Sequence, residues 1–317
     1  MSFLRVSLFG RFDVRSGQQV LTGFETPRVQ ELFCYLLLYR DRPHPREALA
    51  HLLWDEHQTD QPGRSLRKAV WQLRSALDSH SELLGGRVLL IEPDWVQIDP
   101  DAELWLDVAE FEQAFRRVER RQGSELDSKS VEALTDAVRL YRGGLQESWY
   151  QDWYLYERER FQHMYLVMLD KLMDHCEAQG DYAAGLAYGA LILGCERARE
   201  RTHRQMMRLH YLAGDRTAAL RQYNHCVRAL DEELGVEPAS RTMALHQQIA
   251  MDQLNLPTLT QTEVVEGPHT SPFAWPQVLR RLRQLQTALT DAQRHIDLDI
   301  HALESAINGQ DQFVHPE

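Results

Sequence analysis

Two short strings set 34 residues apart constrain this chain more than any other feature. Gly180-Asp181 recurs as Gly214-Asp215, Ala184 as Ala218, and Leu186 as Leu220. Gly-Asp reads as the turn within a pair of helices, and the small alanines let the two helices approach closely. A period of that length belongs to stacked helix pairs, each of which buries its neighbour's apolar face. Two pairs seldom stand alone, since about three are needed for stability. Flanking helical stretches at 103–121, 130–142, 152–177 and 240–254 supply the remainder.

Strand signals vanish beyond Asp101, so residues 101–256 are expected to form an all-α, tetratricopeptide-like repeat domain. Residues 1–100 read differently. Stretches 4–9, 12–15 and 19–21 are short and β-rich, and Ser16-Gly17 offers a hairpin turn. Pro27 opens a helix over 28–40 with Leu32, Leu36 and Tyr39 at core spacing. A second helix over 45–54 carries Leu49, Leu52 and Leu53 inward, and a polar loop over 55–63 follows. The third helix runs from about Arg64 to Asp78. Its apolar residues Leu66, Val70, Leu73 and Leu77 form one stripe. Gly85-Gly86 and a hairpin, 88–91 with 95–98 around Glu92-Pro93-Asp94, come directly behind it.

Charge sharpens this division. The 317-residue chain carries a formal net charge of −12, which by itself argues against binding a phosphate backbone. Counted by segment, residues 1–100 hold 12 basic and 13 acidic side chains, residues 101–256 hold 19 and 26, and residues 257–317 hold 4 and 8. The acidic excess therefore lies outside the first segment. Between Gln61 and Leu77 there are four bases and no acid. Those bases, Arg64, Arg67, Lys68 and Arg74, fall with Trp71 and Ser75 on the helix face opposite the apolar stripe. An arbitrary basic helix of this kind is most often a solvated surface. Strands, three helices with the third basic, and a closing hairpin are nevertheless the layout of a winged helix-turn-helix. The third helix of that fold can enter the major groove and read guanine edges with Arg or Lys.

The stretches Leu4 to Gly10, Leu36-Leu37-Leu38, Leu49 to Trp54 and Ser65 to Arg74 resemble the OmpR/PhoB-type winged helix of the Streptomyces antibiotic regulatory protein (SARP) family. Asp152-Trp153, Glu157 to Arg160, Gly180-Asp181-Tyr182, His203-Arg204, Gly214-Asp215-Arg216 and Glu233-Leu234-Gly235-Val236-Glu237-Pro238 resemble its bacterial transcriptional activator domain. The resemblance implies a transcriptional activator bound to double-stranded DNA at direct-repeat operators as a homodimer, with RNA polymerase as partner. It carries DNA contact over to Arg64, Ser65, Arg67, Lys68, Trp71 and Arg74. Polymerase contact is carried over to the loop containing Asp55, Glu56 and Asp60. Two departures stand out. Glu92 and Asp94 occupy a wing tip where bases or neutral residues suit phosphate, and Cys195 to Glu200 lacks the family's Asp-Pro helix start.

The expected fold is therefore mainly α: a winged helix (1–100), a tetratricopeptide-like activator domain (101–256), a linker (257–275) and a C-terminal helix (276–308). In that last helix Val278, Leu282, Leu285, Leu289, Ala292 and Ile296 follow a heptad seam, which suits self-association or docking on the repeats. No phosphate loop, HExxH or GxSxG string occurs, so neither an enzyme nor a cofactor is expected. His203 and His210 read as structural and no metal is expected. Gly185, Gly189 and Gly194 read as close-packing positions. Cys176, Cys195 and Cys226 read as small core residues. Four scattered cysteines suit a reducing cytosol. No apolar run is long enough for a membrane helix, and Arg5 and Arg11 interrupt any signal-peptide core. A repeat-protein adaptor, whose winged helix makes only protein contacts, is the alternative function.

Overall fold

The computed structural model describes residues 3–54, 61–81, 86–145 and 152–254. The linker and C-terminal helix expected from 257 onward lie outside the described residues.

Two small sheets frame the first segment. Strands β1 (Leu4–Ser7), β2 (Asp13–Ser16) and β3 (Gln19–Val20) form an antiparallel meander. Alternation decides its faces: Leu4, Val6 and Val14 turn inward, whereas Arg5, Ser7, Asp13 and Arg15 lie on the other side. Helix α1 (Pro27–Leu38) buries Leu32, Phe33, Leu36 and Leu37 in the same core as the inward residues of the sheet. Tyr39 is its half-buried cap. Strand β4 (His44–Pro45) leads into α2 (Arg46–Leu53). There Leu49 and Leu53 are buried as expected, but Leu52 is 38% exposed. Leu49, Ala50 and Leu53 define a narrow inward sector, and Leu52 lies about 100° from its centre on a 3.6-residue helix.

Helix α3 (Pro62–Asp78) begins two residues before the expected start, with Pro62 in its first turn, where a missing N–H costs nothing. Strands β5 (Leu89–Ile91) and β6 (Trp95–Ile98) form the hairpin, closed by Glu92 N–H donating to the Trp95 carbonyl at 3.0 Å. β4 adds to it as a third strand.

One element departs from the sequence reading. Residues Leu104–Leu106 form strand β7, not the start of a helix, and β7 pairs in parallel with β1 in the order β3-β2-β1-β7. Three residues are too few for a visible periodicity, and β1's unpaired edge determines their conformation. Helix α4 (Asp107–Val118) starts only afterwards. Its first residue, Asp107, is buried, and its carboxylate accepts the N–H groups of Leu8 (2.9 Å), Phe9 (3.0 Å) and Val108 (2.8 Å). Burial pushes this carboxyl up from its usual range while those amides oppose the rise. Phe9 then projects into an aromatic cluster with Phe111, Tyr141 and Phe161, at ring separations of 5.0, 5.1 and 5.3 Å. One continuous core extends from Leu4 to Leu209.

The helical part continues with a 3-10 turn (Gly123–Glu125), then α5 (Ser128–Leu140), α6 (Asp152–Gln179), α7 (Tyr182–Cys195), α8 (Glu200–Leu212), α9 (Arg216–Leu234) and α10 (Ser240–Ala250). The repeated Gly-Asp strings do the same work twice. Gly180 and Gly214 take φ of +76° and +81°, which ends α6 and α8 in the left-handed conformation. Each following Asp caps the next helix, Asp181 at Ala184 N (3.1 Å) and Asp215 at Ala218 N (2.8 Å). Where the Asp-Pro start is missing, α8 has no side-chain cap and instead places Glu200 in its first turn.

Close packing holds at two of the three glycines: a Cβ would lie 2.9 Å from Leu209 Cδ1 at Gly185 and 2.8 Å from Met206 Cγ at Gly189. At Gly194 it would meet nothing within 4 Å, so packing does not explain that residue. Cys176 and Cys226 are buried, but Cys195 is exposed because α7 ends there and the chain turns outward. His203 is buried in a hydrogen-bonded site. Among the described residues, no helix is long and apolar enough to cross a membrane.

Candidate nucleic-acid interface

Helix α3 is built from its buried side outward. Leu66, Val70, Leu73 and Leu77 are at most 4% exposed and pack with Ala69 and Ala76 against α1 and α2. Burial of this stripe, at roughly 1.5–3 kcal/mol for each large side chain, fixes the rotation of the helix. Arg64, Arg67, Lys68, Trp71 and Arg74 consequently all lie exposed on the opposite side, with Trp71 at 67%. Ser65 sits at the margin, half-buried.

Among the described residues, Arg64, Arg67 and Lys68 form no ion pair with a carboxylate. Arg74 differs: its Nε donates to Asp78 Oδ2 at 3.2 Å, and both side chains are well exposed. At such exposure the pair contributes about 0.3–0.5 kcal/mol, so the guanidinium remains available. An indole and four basic side chains on one exposed face suit a groove lined with phosphates and base edges. Beside Trp71, a shallow cavity of about 260 Å³ is lined by Thr22, Gly23, Thr26, Gln72, Ser75 and Ser79. Hydroxyls and amides at that position can approach sugar or phosphate.

At the wing tip Glu92 and Asp94 are exposed. The Asp94 carbonyl accepts Arg46 N–H at 2.9 Å, so the tip is tied to the start of α2. Asp55, Glu56 and Asp60 lie outside the described residues.

Sequence reasoning did not single out the network that joins the end of α1 to α4 and α6. Tyr39, at the end of α1, hydrogen-bonds Glu157 in α6; Arg160 pairs with both Glu157 (2.7 Å) and Glu112 of α4 (2.7 Å). Trp153 meets Tyr35 edge-on at 5.1 Å. The string Glu157 to Arg160 was visible as sequence, but its partners lie up to 118 residues away.

The fold and its basic helix define a winged helix joined to a stack of helix pairs. Residues 106–250 match the family described as Bacterial transcriptional activator domain. That match covers a little under half of the chain. It is similar to Regulatory protein AfsR of Streptomyces coelicolor, 26% identical over 235 residues, or 74% of this chain and 23% of AfsR. It is also similar to Transcriptional regulatory protein MoaR1 of Mycobacterium tuberculosis, 26% identical over 242 residues, or 72% of this chain and 75% of MoaR1. The match thus spans less than a quarter of the length of AfsR and three quarters of MoaR1. The solved structure titled Mycobacterium tuberculosis EmbR in complex with low affinity phosphopeptide has the same fold, with a TM-score of 0.62 at 20% identity. That likeness covers 80% of this chain and 66% of the EmbR chain.

Proposed function

We propose that this chain is a sequence-specific, DNA-binding transcriptional activator that places α3 in the major groove of double-stranded DNA. The observation carrying the reading is the single exposed face on which Arg64, Arg67, Lys68, Trp71 and Arg74 converge, opposite a fully buried stripe. Arg64 and Ser65, at the helix start, meet phosphate; Arg67, Lys68, Trp71 and Arg74 face base edges or the flanking backbone. The acidic bulk of the chain repels phosphate, which keeps non-specific affinity low and leaves binding dependent on this face. A homodimer on direct-repeat operators doubles the small basic footprint. The loop with Asp55, Glu56 and Asp60 contacts RNA polymerase. The protein works in the cytoplasm, on the nucleoid.

The test is a fluorescence-anisotropy series on operator DNA selected from a random duplex pool, repeated across salt concentrations. Arg67→Ala or Arg74→Ala weakens binding by about 1–3 kcal/mol where the side chain reads a base, or lowers the salt slope by about one where it meets phosphate. Unchanged binding and slope in both variants overturn the reading in favour of an adaptor.

A further inference from the structure

The outward face of the four-stranded sheet carries a feature that DNA docking through α3 does not use. A cavity of about 720 Å³ opens over β1 and β2 and reaches the loop after α5. Arginines reach it from both segments: Arg5, Arg11 and Arg15 from the strands and their connection, and Arg142 from the loop. The two segments are locked together here. Gly10 N–H donates to the carbonyls of Gly143 (3.1 Å) and Gly144 (2.9 Å), and a Cβ on Gly10 would lie 2.9 Å from the Arg142 carbonyl. That close approach sets Arg142 beside the strand connection bearing Arg11.

The acids around the cavity are already engaged. Asp13 pairs with Arg15 Nε at 2.5 Å, Asp107 spends its oxygens on three backbone amides, and the Glu25 carboxylate accepts Gly23 N–H at 3.1 and 3.0 Å. Among the described residues, Arg5, Arg11 and Arg142 pair with no carboxylate. Arg5 is instead held over the Trp105 ring, 3.8 Å from its centroid. A guanidinium stacked in this way keeps its N–H edges free and pre-aimed, an arrangement suited to bidentate contact with phosphate oxygens.

We propose that this cavity is a binding site for a small phosphorylated ligand of nucleotide size, held through its phosphate groups by Arg5, Arg11 and Arg142. Its volume falls within the range of small-molecule sites, about 300–1,000 Å³. Its polar, arginine-rich lining favours an anion over an apolar compound. Because strand and loop residues come from the winged helix and the activator domain respectively, the bound ligand touches both.

The experiment is isothermal titration calorimetry of the full chain with ATP and, separately, with inorganic pyrophosphate. Both bind, and Arg11→Ala and Arg142→Ala each raise the Kd about tenfold or more, as loss of a charge-assisted phosphate contact requires. The double substitution Arg67→Ala, Lys68→Ala on α3 leaves the Kd unchanged. Equal binding of the two probes assigns recognition to the phosphates alone, and tighter ATP binding adds a contact to the nucleoside; either upholds the site. Absence of binding at millimolar concentrations overturns the proposal. So does binding lost in the α3 variant but intact in Arg11→Ala, an exposed residue whose replacement leaves the fold in place.

Discussion

The hydroxyl of Tyr39 donates a 2.7 Å hydrogen bond to Oε1 of Glu157, joining the end of α1 to α6. Glu157 is 3% exposed, and its other oxygen accepts Arg160 Nε at 2.7 Å. Burial and the nearby carboxylate both push the Tyr39 phenol well above its ordinary range, so it stays a donor throughout the stable pH range. Arg160→Ala should cost about 3–5 kcal/mol, because it leaves a buried carboxylate uncompensated. Tyr39→Phe should cost only about 0.5–1.5 kcal/mol. Urea unfolding midpoints measure both. A smaller loss in Arg160→Ala than in Tyr39→Phe would contradict the assignment of Arg160 as the charge partner.

Among the described residues, Asp78 is the one acid that pairs with a proposed contact, Arg74. Asp78→Asn removes a negative charge near bound phosphate and releases Arg74. Operator affinity should rise by up to about 0.5 kcal/mol at low salt, and the gain should shrink as salt screens it. Stability changes by only a few tenths of a kcal/mol. Anisotropy titrations at two ionic strengths decide the matter.

The twin caps are expected to be equivalent. Asp181→Ala and Asp215→Ala each remove an oxygen that satisfies a helix-start N–H, at a cost of about 1 kcal/mol apiece. Asn at either position should recover most of the loss. Thermal unfolding of the four single variants tests this directly.

His203 predicts a pH dependence. Its Nε2–H donates to the Arg197 carbonyl at 2.8 Å, so Nδ1 is the acceptor from Gln222 Nε2, also at 2.8 Å. Burial is the main cause holding this imidazole below its usual pKa. A folded-state value depressed below 6.5 means that the unfolded chain binds more protons in the window beneath it. The contribution is therefore complete above about pH 6.5 and is lost as the pH falls towards the folded-state value. His203→Gln should flatten the acid limb of a stability-against-pH curve. An unchanged limb would show that His203 does not titrate on unfolding.

Much of this architecture was legible in the sequence, and what was hidden has a physical pattern. Leu66, Val70, Leu73 and Leu77 announced their face because a helix repeats locally, and Gly180-Asp181 with Gly214-Asp215 announced their turns for the same reason. The sequence reading missed β7, whose strand character depends on an edge about 100 residues away. It missed Asp107 as well, since an acid at a helix start is common and nothing local marks its oxygens as acceptors for Leu8 and Phe9. Leu52 and Cys195 were read inward because apolar type alone does not say where a short helix ends its buried sector. On the candidate interface the five exposed residues and Ser65 were readable, and the Arg74–Asp78 pair lies at i,i+4 within α3 itself, while the cavity beside Trp71 depends on Thr22, Gly23 and Thr26 from the stretch between β3 and α1.

The parallel pairing of β1 with β7 has a consequence for synthesis. The first strand leaves the ribosome before α1, yet the amides just after it, at Leu8 and Phe9, wait for a carboxylate 99 and 98 residues downstream. Until residue 107 has emerged, the nascent winged helix holds an open sheet edge and a buried-type aromatic, Phe9, without its companions. Contacts of such sequence separation form slowly. The first segment therefore completes its four-stranded sheet only once the start of the following helical part is made.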